Sequence, residues 1–175
     1  MSIRLSLSAL EAKGDLTRYV PTRTLKRAKR RLFMTRHVVD RLFNPNSPVN
    51  LLRARGDIEA ALTLWTVGDR VYNDARGRPA FLKRLKAPPP EVWEIRVTNP
   101  SPQWRIFGRF AEQDTFVATD VRTRGPLRDG DSRAWVNACN QCVADWASIL
   151  PMFPPHRGVT VGDYISENFD DFPLN

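Results

Sequence analysis

Cysteine and histidine are scarce in this 175-residue chain, with two of each. Two cysteines cannot staple a small disulfide scaffold, so the fold must rest on a hydrophobic core. Zinc takes about four ligands, and the soft partners available to Cys139-x-x-Cys142 are His37 and His156 alone. A redox pair usually opens a helix after a strand. These cysteines instead fall inside an amphipathic segment, where they read as small core residues. No metal and no cofactor is therefore expected. The nine glycines are too scattered to form a phosphate loop after a strand. Ser-His-Asp and Cys-His motifs are missing too, and His37 and His156 read as surface or boundary residues. The carboxylate pairs Asp129/Asp131 and Asp170/Asp171 sit in turn and tail positions, as caps or solubilising charge. No apolar run approaches the roughly 20 residues of a membrane span. Met1–Leu5 leads to the polar Glu11-Ala12-Lys13 without an apolar stretch of signal-peptide length. The expected location is the cytoplasm, with no membrane partner.

Bulk and positive charge are what the chain does have. It is 42% hydrophobic, and five Trp with nine Phe supply core material, which argues against disorder. Its net charge of +8 hides an asymmetry: residues 1–140 balance at +12 and residues 141–175 at −4. A basic body of this strength attracts polyanions over about 8–10 Å in physiological salt. Arginine dominates, which favours forked contacts to phosphate over diffuse solubilisation.

Periodicity divides the chain. Leu25, Ala28, Leu32, Val39 and Leu42 recur at helical spacings, predicting a basic helix over residues 24–43 with Thr24 as N-cap. Lys26, Arg27, Lys29, Arg30, Arg31 and Arg36 lie on its other face. A second helix is expected from Asp57 through Ile58, Ala61, Leu62 and Trp65 and on toward Val71 and Tyr72, although Gly68 interrupts it and residues 63–67 would also suit a strand. Residues 81–85 are short and amphipathic. Strict alternation follows in 91–98 and 103–110, and a third strand in 115–121, each separated by turn residues. These make an antiparallel meander, residues 91–121, with one apolar face and one face bearing arginines. A helix from Asp131 or Ser132 to about Leu150 carries Trp135, Ala138, Cys142, Trp146 and Ile149. A short helix is expected between Thr160 and Phe169, with Thr160 and Asp163 at capping-box spacing. The expected class is α+β, with helices packed on a small twisted antiparallel sheet. The expected organisation is an extension with a basic helix (1–45), the α+β domain (46–150) and an acidic tail with a short helix (151–175).

The chemistry that remains belongs to arginine. Arg96, Arg105 and Arg109 share a face on neighbouring strands, subject to register, and Arg122, Arg124 and Arg128 continue from the third strand. Such a cluster binds phosphate and can stabilise the charge of a phosphoryl-transfer transition state. RNA cleavage by its own 2′-hydroxyl needs that stabilisation plus proton transfer, and no metal. The competing reading pairs these arginines with Glu94, Glu112 and Asp114 across the sheet.

Leu82-Lys83-Arg84-Leu85-Lys86, Val92-Trp93-Glu94-Ile95-Arg96-Val97 and Gln103-Trp104-Arg105-Ile106-Phe107, followed by a third apolar strand and a basic loop, resemble the RelE/HigB toxin superfamily in its phage-derived branch. The similarity spans about residues 50–145. It implies a RelE-like α+β domain and an endoribonuclease that cuts mRNA, often on the ribosome, and is restrained by an antitoxin. Carried onto this sequence, it implies that Arg96, Arg105, Arg122 and Arg124 are catalytic, and that Arg109, Arg128, Lys83, Arg84 and Lys86 bind nucleic acid. Arginines replace the family's lysine pair in the loop, and no Tyr or His directly follows. Tyr164 or His156 would have to fold back as the proton-transfer group. The alternative is a non-catalytic nucleic-acid-binding or phage-derived protein-interaction module on the same fold.

Overall fold

The computed structural model describes residues 2–22, 24–46, 51–72, 80–85, 91–98, 102–127, 132–172 and 174. Two nine-residue strands, Trp104–Glu112 (β5) and Thr115–Thr123 (β6), form its central hairpin. Asp114 turns the chain between them with φ of 59°, a conformation that Asp and Asn tolerate better than most residues. Trp93–Val97 (β4) pairs antiparallel with β5, and Leu82–Arg84 (β3) pairs with β4.

The sheet does not stop at a meander. Arg31–Thr35 (β2) adds parallel to β6, and Leu16–Arg18 (β1) adds antiparallel to β2. The expected small three-strand antiparallel sheet is therefore corrected to a six-stranded mixed open sheet of order β1-β2-β6-β5-β4-β3. Its helices among the described residues are Ile3–Lys13 (α1), Arg36–Phe43 (α2), Leu51–Thr66 (α3), Arg124–Leu127 (α4), Arg133–Ile149 (α5) and Val161–Tyr164 (α6). The α+β class stands. None of these helices is long and apolar enough to cross a membrane.

The basic helix expected over 24–43 is also corrected. Its first half is loop and strand, and helix begins only at Arg36, capped by Thr35, whose hydroxyl accepts from the Val38 amide. Leu25, the first residue of the supposed stripe, is fully exposed. Leu32, Phe33, Met34 and Thr35 are all buried. A strand covered on both faces reads as a continuous apolar run, which helical spacing mimics by chance. The tail helix is shorter than expected, with only Val161–Tyr164 helical. Its capping box joins Thr160 and Asp163 as the sequence suggested.

The sheet is packed on both sides. Trp93, Ile95, Trp104, Ile106, Phe110 and Phe116 face the largest core cluster, shared with α2, α3 and the 161–172 segment. Phe107 faces Trp135, Cys139 and Cys142 of α5, while Val117 and Phe33 meet Trp146 and Leu7 of α1. Charge rather than packing sets the first 45 residues and the tail apart. β1 and β2 are hydrogen-bonded members of the sheet, and Val161, Tyr164 and Ile165 belong to the main core. Arg30 ties the two ends together. Almost fully buried, it donates to the Asp69 and Glu167 carbonyls at 2.9 and 2.6 Å and lies 5.1 Å over the Trp65 ring.

Candidate nucleic-acid interface

Arg96, Arg105 and Arg122 stand side by side across β4, β5 and β6, each the register partner of the next. A second row two residues along the strands holds Lys83, Glu94, Phe107 and Asp120. Residues two apart share a face, so guanidiniums and carboxylates mix on one surface. Glu94 lies between two arginines, 3.6 Å from Arg96 Nε and 3.5 Å from Arg105 Nε. Arg122 Nε donates to Asp120 Oδ2 at 2.6 Å.

Helix α5 covers most of this face. Arg105 and Glu94 are 1% exposed, and Arg105 also donates to the Trp104 carbonyl and the Gln103 amide oxygen. Burial pushes the Glu94 carboxyl up to about 7, against the pull of Arg105, Arg96, Lys83 and Arg124. Arg109 is buried with its guanidinium 5.5 Å over Trp146, and Arg124 lies 5.6 Å over Trp135. Lys83 is exposed, whereas Arg84 binds Glu91 at 2.5 Å. Lys86 and Arg128 lie outside the described residues. The structure thus brings Arg96, Arg105 and Arg122 together and carries Arg109 and Arg84 toward the other end of β4.

Tyr164 and His156 gather at that other end as well. The Tyr164 hydroxyl donates to Glu91 Oε2 at 2.5 Å, and His156 packs edge-on against its ring. Neither folds back to the arginine row. The cysteines lie within the α5 core, and burial pushes Cys139 up to about 11 and Cys142 to about 12. Among the described residues, no three His, Cys, Asp or Glu side chains cluster as metal ligands would.

The open part of this face is a groove of about 620 Å³ beyond the end of β2. β2 pairs with β6 only as far as Ala118, and Thr119, Asp120 and Arg122 form the groove floor. His37 and Arg41, one turn apart on α2, make one wall. Gln141, Asp145, Ser148 and Ile149 of α5 make the other. A β-bulge aims the floor. Phe107 pairs with Asp120, but Gly108 pairs with Ala118, leaving Thr119 as the extra residue. Strict alternation onward from Ala118 would set Asp120 on the core face; the bulge turns it to the side of Arg122, where the carboxylate reaches the groove.

Asp120 organises what it meets there. Its side chain is 5% exposed, while that of His37 is 59% exposed. Oδ1 accepts from the Val121 amide at 2.7 Å and lies 3.3 Å from His37 Nε2, while Oδ2 holds Arg122. A buried carboxylate thus positions an accessible imidazole beside a guanidinium, with a second guanidinium, Arg41, on the same wall. Such a site can bind an oxyanion and exchange a proton with it.

No family model matches the chain. No curated protein and no solved structure matches it either. The resemblance to the RelE/HigB toxins rests on its short motifs.

His37, Arg41, Asp120 and Asp145 escape sequence reasoning. His37 and Asp120 are 83 residues apart and meet only through the parallel pairing of β2 with β6. No local motif announces that pairing. The one available signal was the His37/Arg41 spacing on a helix.

Proposed function

We propose that this chain binds RNA through the arginine row and its groove and cleaves it without a metal, in the manner of RelE/HigB-like endoribonucleases. One observation carries the reading: Asp120, buried at the groove floor, holds both His37 and Arg122. Arg122 and Arg41 receive the phosphodiester. His37 accepts the 2′-hydroxyl proton, the 2′-oxygen attacks phosphorus, and the P–O5′ bond breaks. The proton then passes to the departing 5′-oxygen, leaving a 2′,3′-cyclic phosphate and a 5′-hydroxyl. Arginine stabilises the pentavalent charge that develops, and histidine is the side chain best suited to proton exchange near neutrality. The motif resemblance favours mRNA as the RNA, with ribosome association, and an antitoxin protein as partner.

The experiment is cleavage of single-stranded RNA by the purified chain in the presence of EDTA, with the new ends identified chemically. Cyclic phosphate ends are expected, and loss of about a hundredfold or more in His37→Ala and in Arg122→Ala. Cleavage equal to wild type in both variants would sink the catalytic assignment.

A second reading is binding without cleavage. It is favoured by Glu94, which sits against two of the three row arginines beneath α5. Intact RNA, bound with a steep dependence on salt, is its signature.

A further inference from the structure

The α5 wall of the groove carries a charge of the wrong sign for phosphate. Gln141, Asp145 and Ser148 follow one another at spacings of four and three residues and share a helical face turned toward the groove that His37, Arg41 and Arg122 line. Asp145 accepts from Gln141 Nε2 at 2.8 Å, which orients its carboxylate. Among the described residues no cation forms an ion pair with it; Arg122 is paired with Asp120 instead.

A carboxylate facing a phosphate site repels the backbone it borders. It becomes favourable where the ligand presents N–H donors. A groove of about 620 Å³ lies in the size range of small-ligand pockets and has room for a nucleotide. With the phosphate on Arg41 and Arg122, the base falls against α5, where Ile149 supplies apolar surface. Sequence-specific readers of RNA take unstacked bases by their Watson–Crick edges. A carboxylate offers two acceptor oxygens and no donor. The guanine edge presents N1–H and N2–H side by side and satisfies both oxygens. Adenine and cytosine each set a ring-nitrogen acceptor beside their amine, and uracil sets its one N–H between two carbonyls. Each of those three turns a lone pair toward the carboxylate.

We propose that Asp145, oriented by Gln141, selects guanine in single-stranded RNA bound in this groove. The proposal rests on the RNA reading given above and adds its sequence preference.

The test uses five short single-stranded RNAs, identical except for one central nucleotide: G, A, C, U or inosine. Affinity is read by fluorescence anisotropy at fixed salt, and cleavage from labelled ends. Guanine is expected to be favoured by about ten- to a hundredfold. Inosine, which lacks the N2 amine, should lose most of that advantage. Asp145→Asn should lower the guanine preference to the inosine level and cost less on inosine RNA, which keeps only the N1–H donor. Gln141→Ala, which leaves the carboxylate but frees it, should give an intermediate loss. Equal affinity for all five RNAs, or an unchanged guanine preference in Asp145→Asn, would overturn the assignment and leave RNA binding standing. Failure of the wild-type chain to bind any of the five would overturn the RNA reading itself, and this proposal with it.

Discussion

Glu94 and Arg105 approach to 3.5 Å beneath α5, with side chains 2% and 1% exposed. Both have left water, and burial outweighs the attraction, so the carboxyl is pushed up to about 7 from 4.5. The neighbouring arginines oppose that shift without cancelling it.

The first prediction concerns pH. A carboxyl raised on folding lends stability that is complete below about pH 4.5 and is lost as pH rises through about 7. Glutamine mimics the protonated acid. Wild type and Glu94→Gln should therefore be about equally stable at pH 4.5, and the variant should gain on wild type by on the order of 3 kcal/mol by pH 8. Urea midpoints at the two pH values measure this. A variant that is several kcal/mol weaker at pH 8 would mean the carboxylate is ionised and well paired.

Arg105 is the harder residue to remove. Truncating it empties a buried site and leaves the Trp104 carbonyl short of a donor, at about 3–5 kcal/mol. Arg105→Ala should lower the melting temperature by on the order of 10 °C. Arg122, at 34% side-chain exposure, should cost much less stability. Loss of RNA cleavage in Arg105→Ala is therefore to be read beside its melting curve, whereas loss in Arg122→Ala reports on the groove.

The same contrast marks where sequence reasoning reached and where it stopped. The alternation of Trp93, Ile95 and Val97, and of Trp104, Ile106 and Phe110, reports the buried face of β4 and β5 directly, because a strand's period is two. The α5 stripe is equally legible at period 3.6, from Trp135 to Trp146. β2 was not legible: it is buried on both faces and pairs with β6 across more than eighty residues. The bulge at Thr119 has no local signature either, and together with that pairing it sets Asp120 beside His37. The arginines were visible as residues. Glu94 was legible as their partner across the sheet, and it does lie against Arg96 and Arg105. The cover of α5 and the pairing of Arg122 with Asp120 depended on tertiary packing that no spacing records.

Gly108 fixes the geometry of that bulge. A Cβ placed there would lie 2.3 Å from the Val117 carbonyl oxygen and 2.6 Å from the Phe116 ring. The first obstacle is backbone, so relief requires β6 to move. Gly108→Ala should destabilise the chain by about 3 kcal/mol, the upper range for overpacking. Its effect should spread to the groove, since Asp120 follows the bulge. The checks are the urea midpoint and, for the variant that remains folded, the rate of RNA cleavage.

The C-terminal segment makes the last prediction. Glu91 is 3% exposed and adopts φ of 70°, a conformation costly for a residue with a Cβ. Arg84 and Tyr164 hold its two carboxylate oxygens at 2.5 Å each. The Tyr164 hydroxyl in turn accepts from the Gly158 amide at 2.7 Å. Tyr164→Phe removes one hydroxyl and leaves a buried carboxylate oxygen and a half-buried amide short of a partner. The expected cost is about 1–3 kcal/mol, seen as a fall of roughly 2–12 °C in melting temperature. Burial and the bond to Glu91 push the Tyr164 hydroxyl up to about 12 from 10. Its stabilising contribution is therefore whole below about pH 10 and is lost as pH rises toward 12. Wild type should lose stability over that window faster than Tyr164→Phe, so that the gap between them narrows. A gap that is constant from pH 8 to 11.5 would show that the hydroxyl does not hold the tail to Glu91.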